Sequence, residues 1–138
     1  MKVCILYASK SNNNSYIKNI AKAIAKGVEL QNHMVDIIDM KLEEGKIVSY
    51  YDYIIVGAEG TTTFGGKIPQ TVKHFLDRSG AMSGKRCMAF VCKAGIRSTK
   101  TLQSLMKMME AQGMYLKTSD IITKEQQATA IGKRLHIK

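Results

Sequence analysis

Three short, almost uninterrupted apolar runs constrain the fold of this chain most strongly. They are Val3–Tyr7, Tyr53–Gly57 and Cys87–Cys92. A strand buried on both faces of a parallel sheet has such continuous hydrophobicity, whereas a half-exposed strand alternates apolar and polar residues. Segments with helical periodicity separate the runs, so the pattern predicts an α/β domain whose parallel sheet is covered by helices on both faces.

The helical segments have recognisable ends as well as apolar faces. Asn14 or Ser15 is suited to cap the first helix, and Pro69 to open the second, which Ser79-Gly80 ends. Gly113 closes the third. The apolar positions that define the four helical faces are Ile17, Ile20, Ala21, Ile24, Val28, Val72, Phe75, Leu76, Leu102, Leu105, Met106, Met109, Ala128, Ile131 and Leu135.

Two further strands are less apolar, and this difference predicts the order of the sheet. The segments His33–Met40 and Tyr115–Ile122 include charged residues among their apolar ones, which is typical of strands at the edges. The three apolar runs then lie in the centre, and the five strands take the order 2-1-3-4-5 of a doubly wound sheet. A polar stretch with a weak helical pattern follows the second strand.

The composition indicates one globular domain spanning residues 1–138. The chain has 45% apolar residues and one proline, and it contains no linker, internal repeat or low-complexity segment. No segment approaches the length of a membrane helix, and no signal-peptide pattern follows the first apolar run. We therefore expect a cytoplasmic protein without membrane insertion.

The three cysteines, Cys4, Cys87 and Cys92, all lie inside the predicted buried strands. They form no CxxC pair and have no histidine cluster beside them. This placement indicates reduced thiols that pack as small apolar side chains, and it predicts neither a disulfide nor a metal site.

The formal net charge of +10 is unevenly distributed. Residues 85–138 contain eleven Lys and Arg against three Asp and Glu, while residues 1–84 contain ten against eight. Such a basic half is compatible with a nucleic acid, an anionic membrane surface or an acidic protein partner. The basic residues are interleaved with core positions and lack an RNA-binding aromatic signature. We therefore interpret them as residues that keep the helix surfaces solvated, and we do not favour binding of a nucleic acid.

The loop after the first strand has the composition of a phosphate-binding turn. It leads directly into a helix, whose N-terminus offers amide donors and a favourable dipole to an anion. Serine and asparagine add donors and tolerate tight turns. The predicted phosphate ligands are Ser9, Lys10, Ser11, Asn12, Asn13, Asn14 and Ser15.

Ligands of such sheets bind beyond the carboxyl ends of the strands, at the switch point. The loops after the third and fourth strands leave the sheet at this same edge, so they are candidates too. Hydroxyls and exposed amides after the third strand suit a flavin ring, on which Phe64 could stack. The alternative for Phe64 is an inward anchor of the loop. The predicted cofactor residues of the two loops are Thr61, Thr62, Thr63, Phe64, Gly65 and Gly66, and Lys93, Ala94, Gly95 and Arg97.

Over essentially its whole length the sequence resembles the flavodoxins and related flavodoxin-like FMN proteins. Their phosphate loop has the form [S/T]-x-[S/T]-G-x-[S/T], on which Ser9 and Ser11 match the hydroxyls and Asn12 replaces the glycine. Asn14, or Ser15 with one inserted residue, falls on the last position. The resemblance implies the flavodoxin-like fold, an FMN cofactor, and electron transfer between protein partners or to a small acceptor.

The sequence departs from electron-carrying flavodoxins in two respects. The loop after the fourth strand has no aromatic residue and carries Lys93 and Arg97 instead, and the chain is basic where those carriers are typically acidic. Positive charge beside a flavin stabilises its anionic reduced form and raises its potential. The alternatives are therefore an NAD(P)H-dependent FMN or quinone reductase, with Lys93 and Arg97 at the anionic nucleotide, and a flavin-free binding module.

Two other classes of function fit less well. A phospho-receiver requires acidic residues after the first strand and an acceptor aspartate after the third, where this chain has Ser9 and Gly57-Ala58. The histidines His33, His74 and His136 lie outside the three ligand loops, so no catalytic side chain is predicted.

Overall fold

The computed structural model describes residues 1–9, 16–59, 69–92 and 98–137. Strands and helices alternate along this part of the chain. Their bounds are β1 Lys2–Ala8, α1 Tyr16–Glu29, β2 Met34–Asp39, β3 Tyr53–Ala58, α2 Gln70–Asp77, β4 Arg86–Cys92, α3 Ser98–Ala111, β5 Tyr115–Ile122 and α4 Glu125–Arg134.

The strands form one parallel sheet in the order β2-β1-β3-β4-β5. Ile5 at the centre of β1 pairs with Ile37 of β2 on one side and Ile55 of β3 on the other. Every residue of β3 is buried, whereas β2 and β5 are largely half-buried or exposed. The predicted order and the two predicted edge strands are therefore confirmed.

Each face of the sheet has its own apolar core, because successive side chains of a strand point to opposite faces. Val3 and Ile5 of β1 pack on the side of α1 and α4. Cys4 and Leu6 pack on the other side, which α2 and α3 cover with Phe75 and other apolar residues. The helices thus lie on both faces, as predicted, and all three cysteines are buried and free.

The segment between β2 and β3 differs from expectation, since its weak helical pattern produces turns instead of a helix. Gly45 has a φ of +86°, a left-handed conformation that interrupts helical geometry. Val48 and Tyr51 are buried and anchor the segment. The Tyr51 hydroxyl also donates a hydrogen bond to Asp36 Oδ2 at 2.5 Å.

The helices of the described residues are all too short or too polar to cross a bilayer.

Candidate cofactor site at the carboxyl edge of the sheet

The carboxyl ends of β1, β3 and β4 lie side by side at one edge of the sheet. Ala8 pairs with Ala58, and Ala58 pairs with Val91, so the chain leaves all three strands at nearly the same level. The connection from β1 crosses to β2 on one side, and that from β3 crosses to β4 on the other. This divergence is the switch point at which a doubly wound sheet accepts a ligand.

The N-termini of α1 and α3 lie at this edge too, because each helix follows a strand that ends there. Neither helix has an acidic residue in its first turn. Neither helix therefore carries a carboxylate of its own that would neutralise the positive end of its dipole, which favours an anion near these N-termini.

Of the predicted cofactor residues, Ser9 is described and lies half-buried directly after β1. The others lie outside the described residues, and their placement stays a prediction. They are Lys10, Ser11, Asn12, Asn13, Asn14, Ser15, Thr61, Thr62, Thr63, Phe64, Gly65, Gly66, Lys93, Ala94, Gly95 and Arg97.

Glu59 places a buried carboxyl group at the end of β3. Its side chain is 4% exposed, and its backbone N–H donates to the carbonyl of Ala8 at 3.1 Å. This hydrogen bond extends the β1–β3 pairing by one residue and holds Glu59 at the switch point. Sequence reasoning did not select Glu59, although an acidic residue directly after a fully apolar strand was a usable signal.

Cys92, the last residue of β4, lies close enough to Glu59 to sense its charge. Burial, followed by the negative charge of Glu59, raises the pKa of the Cys92 thiol to about 12. The thiol is therefore protonated at neutral pH, and it packs as an apolar group without acting as a nucleophile.

Tyr16, the first residue of α1, belongs to the same neighbourhood. Burial, and then the charges of Cys92 and Glu59, raise the pKa of its phenol. The Tyr16 hydroxyl donates to the carbonyl of Thr123 at 2.5 Å, which ties the start of α1 to the end of β5. These contacts fix the beginning of the helix into which the predicted phosphate loop leads.

Two hydroxyl side chains are buried in the first turn of α3, where sequence reasoning proposed no site residue. Ser98 is 7% exposed and Thr101 is 1% exposed. Their burial was not predictable from the apolar stripe of α3, since both residues are polar.

In the described ranges, His, Cys, Asp and Glu residues form no group of three that could hold a metal ion. His33 lies next to the amino end of β2, and His136 follows α4. The helix α4 runs back from the carboxyl end of β5, so both histidines lie at the opposite edge of the sheet. The described polar groups at the carboxyl edge include the hydroxyls of Ser9, Ser98 and Thr101, the carboxyl group of Glu59 and the N-termini of α1 and α3.

No protein-family profile and no curated protein sequence matches the chain. Solved structures match it over nearly its whole length. Flavodoxin 1 from Bacillus cereus is 21% identical with a TM-score of 0.75, and the match covers 99% of this chain and 100% of that chain. A flavodoxin from the domain Archaea is 20% identical with a TM-score of 0.74, covering 96% and 94%.

A flavone reductase also matches, at 12% identity and a TM-score of 0.71, over 96% of this chain and 61% of that chain. At these identities the similarity concerns the arrangement of the backbone. The chain has the flavodoxin-like fold, and the resemblance stated from the sequence is confirmed at the level of the fold.

Proposed function

We propose that this chain is an FMN-binding redox protein that carries electrons between protein partners or to a small acceptor. One observation carries the proposal: β1, β3 and β4 end together at the switch point of a flavodoxin-like sheet. The three connections that leave this edge contain the predicted phosphate and flavin ligands. When bound there, FMN would supply the redox chemistry.

The phosphate of FMN would be held by the Ser9–Ser15 loop and the N-terminus of α1. The helix has no acidic residue in its first turn, and Lys18 lies exposed on it. A phosphate would therefore gain from hydroxyl donors, the helix dipole and a nearby cation. The first turn of α1 adds no carboxylate of its own to that of Glu59.

The flavin ring would lie over the ends of β3 and β4, between the Thr61–Gly66 and Lys93–Arg97 loops. Two opposing charges would then act on its reduced form. Lys93 and Arg97 would stabilise an anionic reduced ring, and the buried carboxyl group of Glu59 at the end of β3 would destabilise it. The balance between these groups would set the potential of the bound flavin.

The second candidate is an NAD(P)H-dependent FMN or quinone reductase. The cationic Lys93 and Arg97 support this function, and so does the similarity of the fold to a flavone reductase. Stepwise reduction of the FMN-loaded protein distinguishes the two functions. A carrier takes up electrons in two separate one-electron steps, whereas a reductase is fully reduced by NAD(P)H in one two-electron step.

A third candidate, a flavin-free binding module, is supported by the absence of an aromatic residue in the loop after β4. A titration of the purified chain with FMN, monitored by the quenching of flavin fluorescence, tests this third candidate directly. Riboflavin, which has the same ring system but lacks the phosphate, is the control ligand. We expect tight binding of FMN and binding of riboflavin that is weaker by about 100-fold, since several charge-assisted hydrogen bonds are lost.

A variant sharpens this experiment. Ser9→Ala is expected to lower the affinity for FMN by about ten-fold and to leave the affinity for riboflavin unchanged. Ser104→Ala on α3 serves as the control. No quenching by FMN would favour the flavin-free module. Equal affinities for FMN and riboflavin would contradict the assignment of the phosphate loop.

A further inference from the structure

A groove at the other edge of the sheet has no role in the proposed flavin site. Tyr53 begins β3 and Arg134 ends α4, so both lie where the central strands start. The six residues of β3 separate this edge from the carboxyl edge, a distance of roughly 17–20 Å at the usual rise per residue. A ligand in the groove would therefore not contact a flavin.

The groove consists of two adjoining cavities that share Arg134, Leu135 and His136. One cavity of about 270 Å³ lies between β5 and α4, and its apolar wall is formed by Tyr53, Met88 and Ile131. The other, of about 640 Å³, lies beside the turn that follows α1 and is lined by Gln31, His33 and Lys133.

The packing of α4 explains why this space stays open. Gly132 lets α4 approach α1 so closely that a Cβ atom there would lie 2.3 Å from the carbonyl oxygen of Ile24. Gln31 Nε2 donates to the carbonyls of Gly132 at 2.7 Å and Leu135 at 3.0 Å. The end of α4 is thus held against α1. On the other side of the apolar cavity, the pairing of β4 with β5 shifts in register beside Lys117.

The apolar cavity has an unsatisfied polar group in its wall. Tyr53 is 0% exposed, and its hydroxyl has no hydrogen-bond partner within the described residues. Burial, followed by the nearby Cys87, raises the pKa of Tyr53 to about 12, so the hydroxyl remains a donor at neutral pH. Buried hydroxyls normally have a partner, and an acceptor on a ligand would provide one.

The second cavity is cationic. Lys133, Arg134, His33 and His136 line it, and no carboxylate does so. In the described part of the chain, neither Lys133 nor Arg134 is a member of an ion pair. The carbonyl oxygens at the end of α4 would repel an anion, but Gln31 already donates to two of them.

We propose that this groove binds a nucleoside diphosphate, with its base in the apolar cavity and its two phosphates among Lys133, Arg134 and His136. Inorganic phosphate alone would leave the apolar wall uncovered, and an uncharged ring would leave the cations unused. Thr118 and Asp120 line the ring cavity as well, and they provide hydrogen-bonding groups for the polar edge of a base.

Calorimetric titration of the full chain with ADP tests the site, with and without saturating FMN. We expect ADP to bind, pyrophosphate to bind at least ten-fold more weakly, and FMN to leave the ADP affinity unchanged. The double variant Lys133→Gln/Arg134→Gln is expected to lower the affinity for ADP by about ten-fold or more, because two charge-assisted contacts are lost.

The control removes the same two charges elsewhere, in the double variant Lys22→Gln/Lys107→Gln on exposed positions of α1 and α3. It should bind ADP as the unmodified chain does. Absence of ADP binding, equal effects of the two double variants, equal affinity for pyrophosphate, or displacement of ADP by FMN would each overturn the proposal. The inference does not rest on the FMN site, because the titration without FMN tests it alone.

Discussion

Gly27 of α1 and Gly132 of α4 meet backbone to backbone: a Cβ atom on Gly132 would lie 3.0 Å from the Cα atom of Gly27. A Cβ atom on Gly27 would lie 2.2 Å from the carbonyl oxygen of Thr129. The two glycines therefore determine how closely the last helix packs against the first, and hence the shape of the groove beside α4.

Replacing Gly132 by alanine is expected to destabilise the protein by about 1–3 kcal/mol, because the new methyl group overlaps backbone atoms that cannot move aside cheaply. In a helix where the new methyl group met no obstacle, the same change would stabilise the protein by about 0.5–1 kcal/mol. Urea unfolding measures the difference, with Asn19→Ala on the exposed face of α1 as the control. A more stable Gly132→Ala variant would mean that α4 does not approach α1 as described.

Tyr51 and Tyr53 are both almost fully buried, yet removal of their hydroxyls should have opposite effects. Tyr53→Phe removes a hydroxyl without a partner in the described structure, and we expect the free energy of unfolding to rise by up to about 1 kcal/mol. Tyr51→Phe removes the donor to Asp36, and it should lower that free energy by about 1–2 kcal/mol. Thermal unfolding of the two variants side by side provides the comparison. Equal destabilisation would show that the Tyr53 hydroxyl has a partner.

The stability of the protein should fall in alkaline solution. Burial is the largest cause that raises the pKa of Cys87 and of Cys92 from 9.0 to about 12. An acidic group whose folded-state pKa is raised contributes stability that is fully present below the pKa of the unfolded chain. This contribution is lost between pH 9 and about 12, since the unfolded chain releases the proton first.

The expected slope is about 1.4 kcal/mol per pH unit for each thiol. Urea unfolding at pH 8 and pH 10.5 measures it, and Cys92→Ala should show a shallower decrease than the unmodified chain. If this variant lost stability with pH as steeply as the unmodified chain, the Cys92 thiol would not be buried as described.

Glu59 should lower the potential of a flavin bound at the carboxyl edge. In the FMN-loaded protein, Glu59→Gln removes a carboxyl group that is 4% exposed at the end of β3. We expect the two-electron potential to rise by tens of millivolts, roughly 30 mV for each 1.4 kcal/mol. A redox titration against a reference dye measures the shift. Glu110→Gln on the exposed side of α3 is the control, and equal potentials for the two variants would exclude an effect of Glu59.

The hydrophobic pattern was sufficient to predict the sheet. Val3–Tyr7, Tyr53–Gly57 and Cys87–Cys92 are buried on both faces, so they had to occupy central positions, and the mixed strands β2 and β5 had to be edges. The segment after β2 was less predictable, because Gly45 with φ +86° prevents the helix that its weak periodicity suggests.

The neighbourhood of Glu59, Cys92 and Tyr16 was not predictable. The sequence predicted Cys92 as the end of a buried strand, but the influence of the three residues on one another depends on distances between separate segments of the chain. The same limit applies to the groove, where Tyr53, Lys117 and Arg134 come from distant parts of the chain.

By itself the sequence determined the layers of the fold, the order of the strands and the edge at which ligand loops emerge, since burial on one or two faces is a property of each segment's own residues. Only the tertiary structure decided which polar groups share a site. It brought the buried carboxyl group of Glu59 near enough to the Cys92 thiol to raise its pKa, and it left the Tyr53 hydroxyl in the wall of the apolar cavity. Such proximity arises from helix packing, as at Gly27 and Gly132, and no local pattern encodes it.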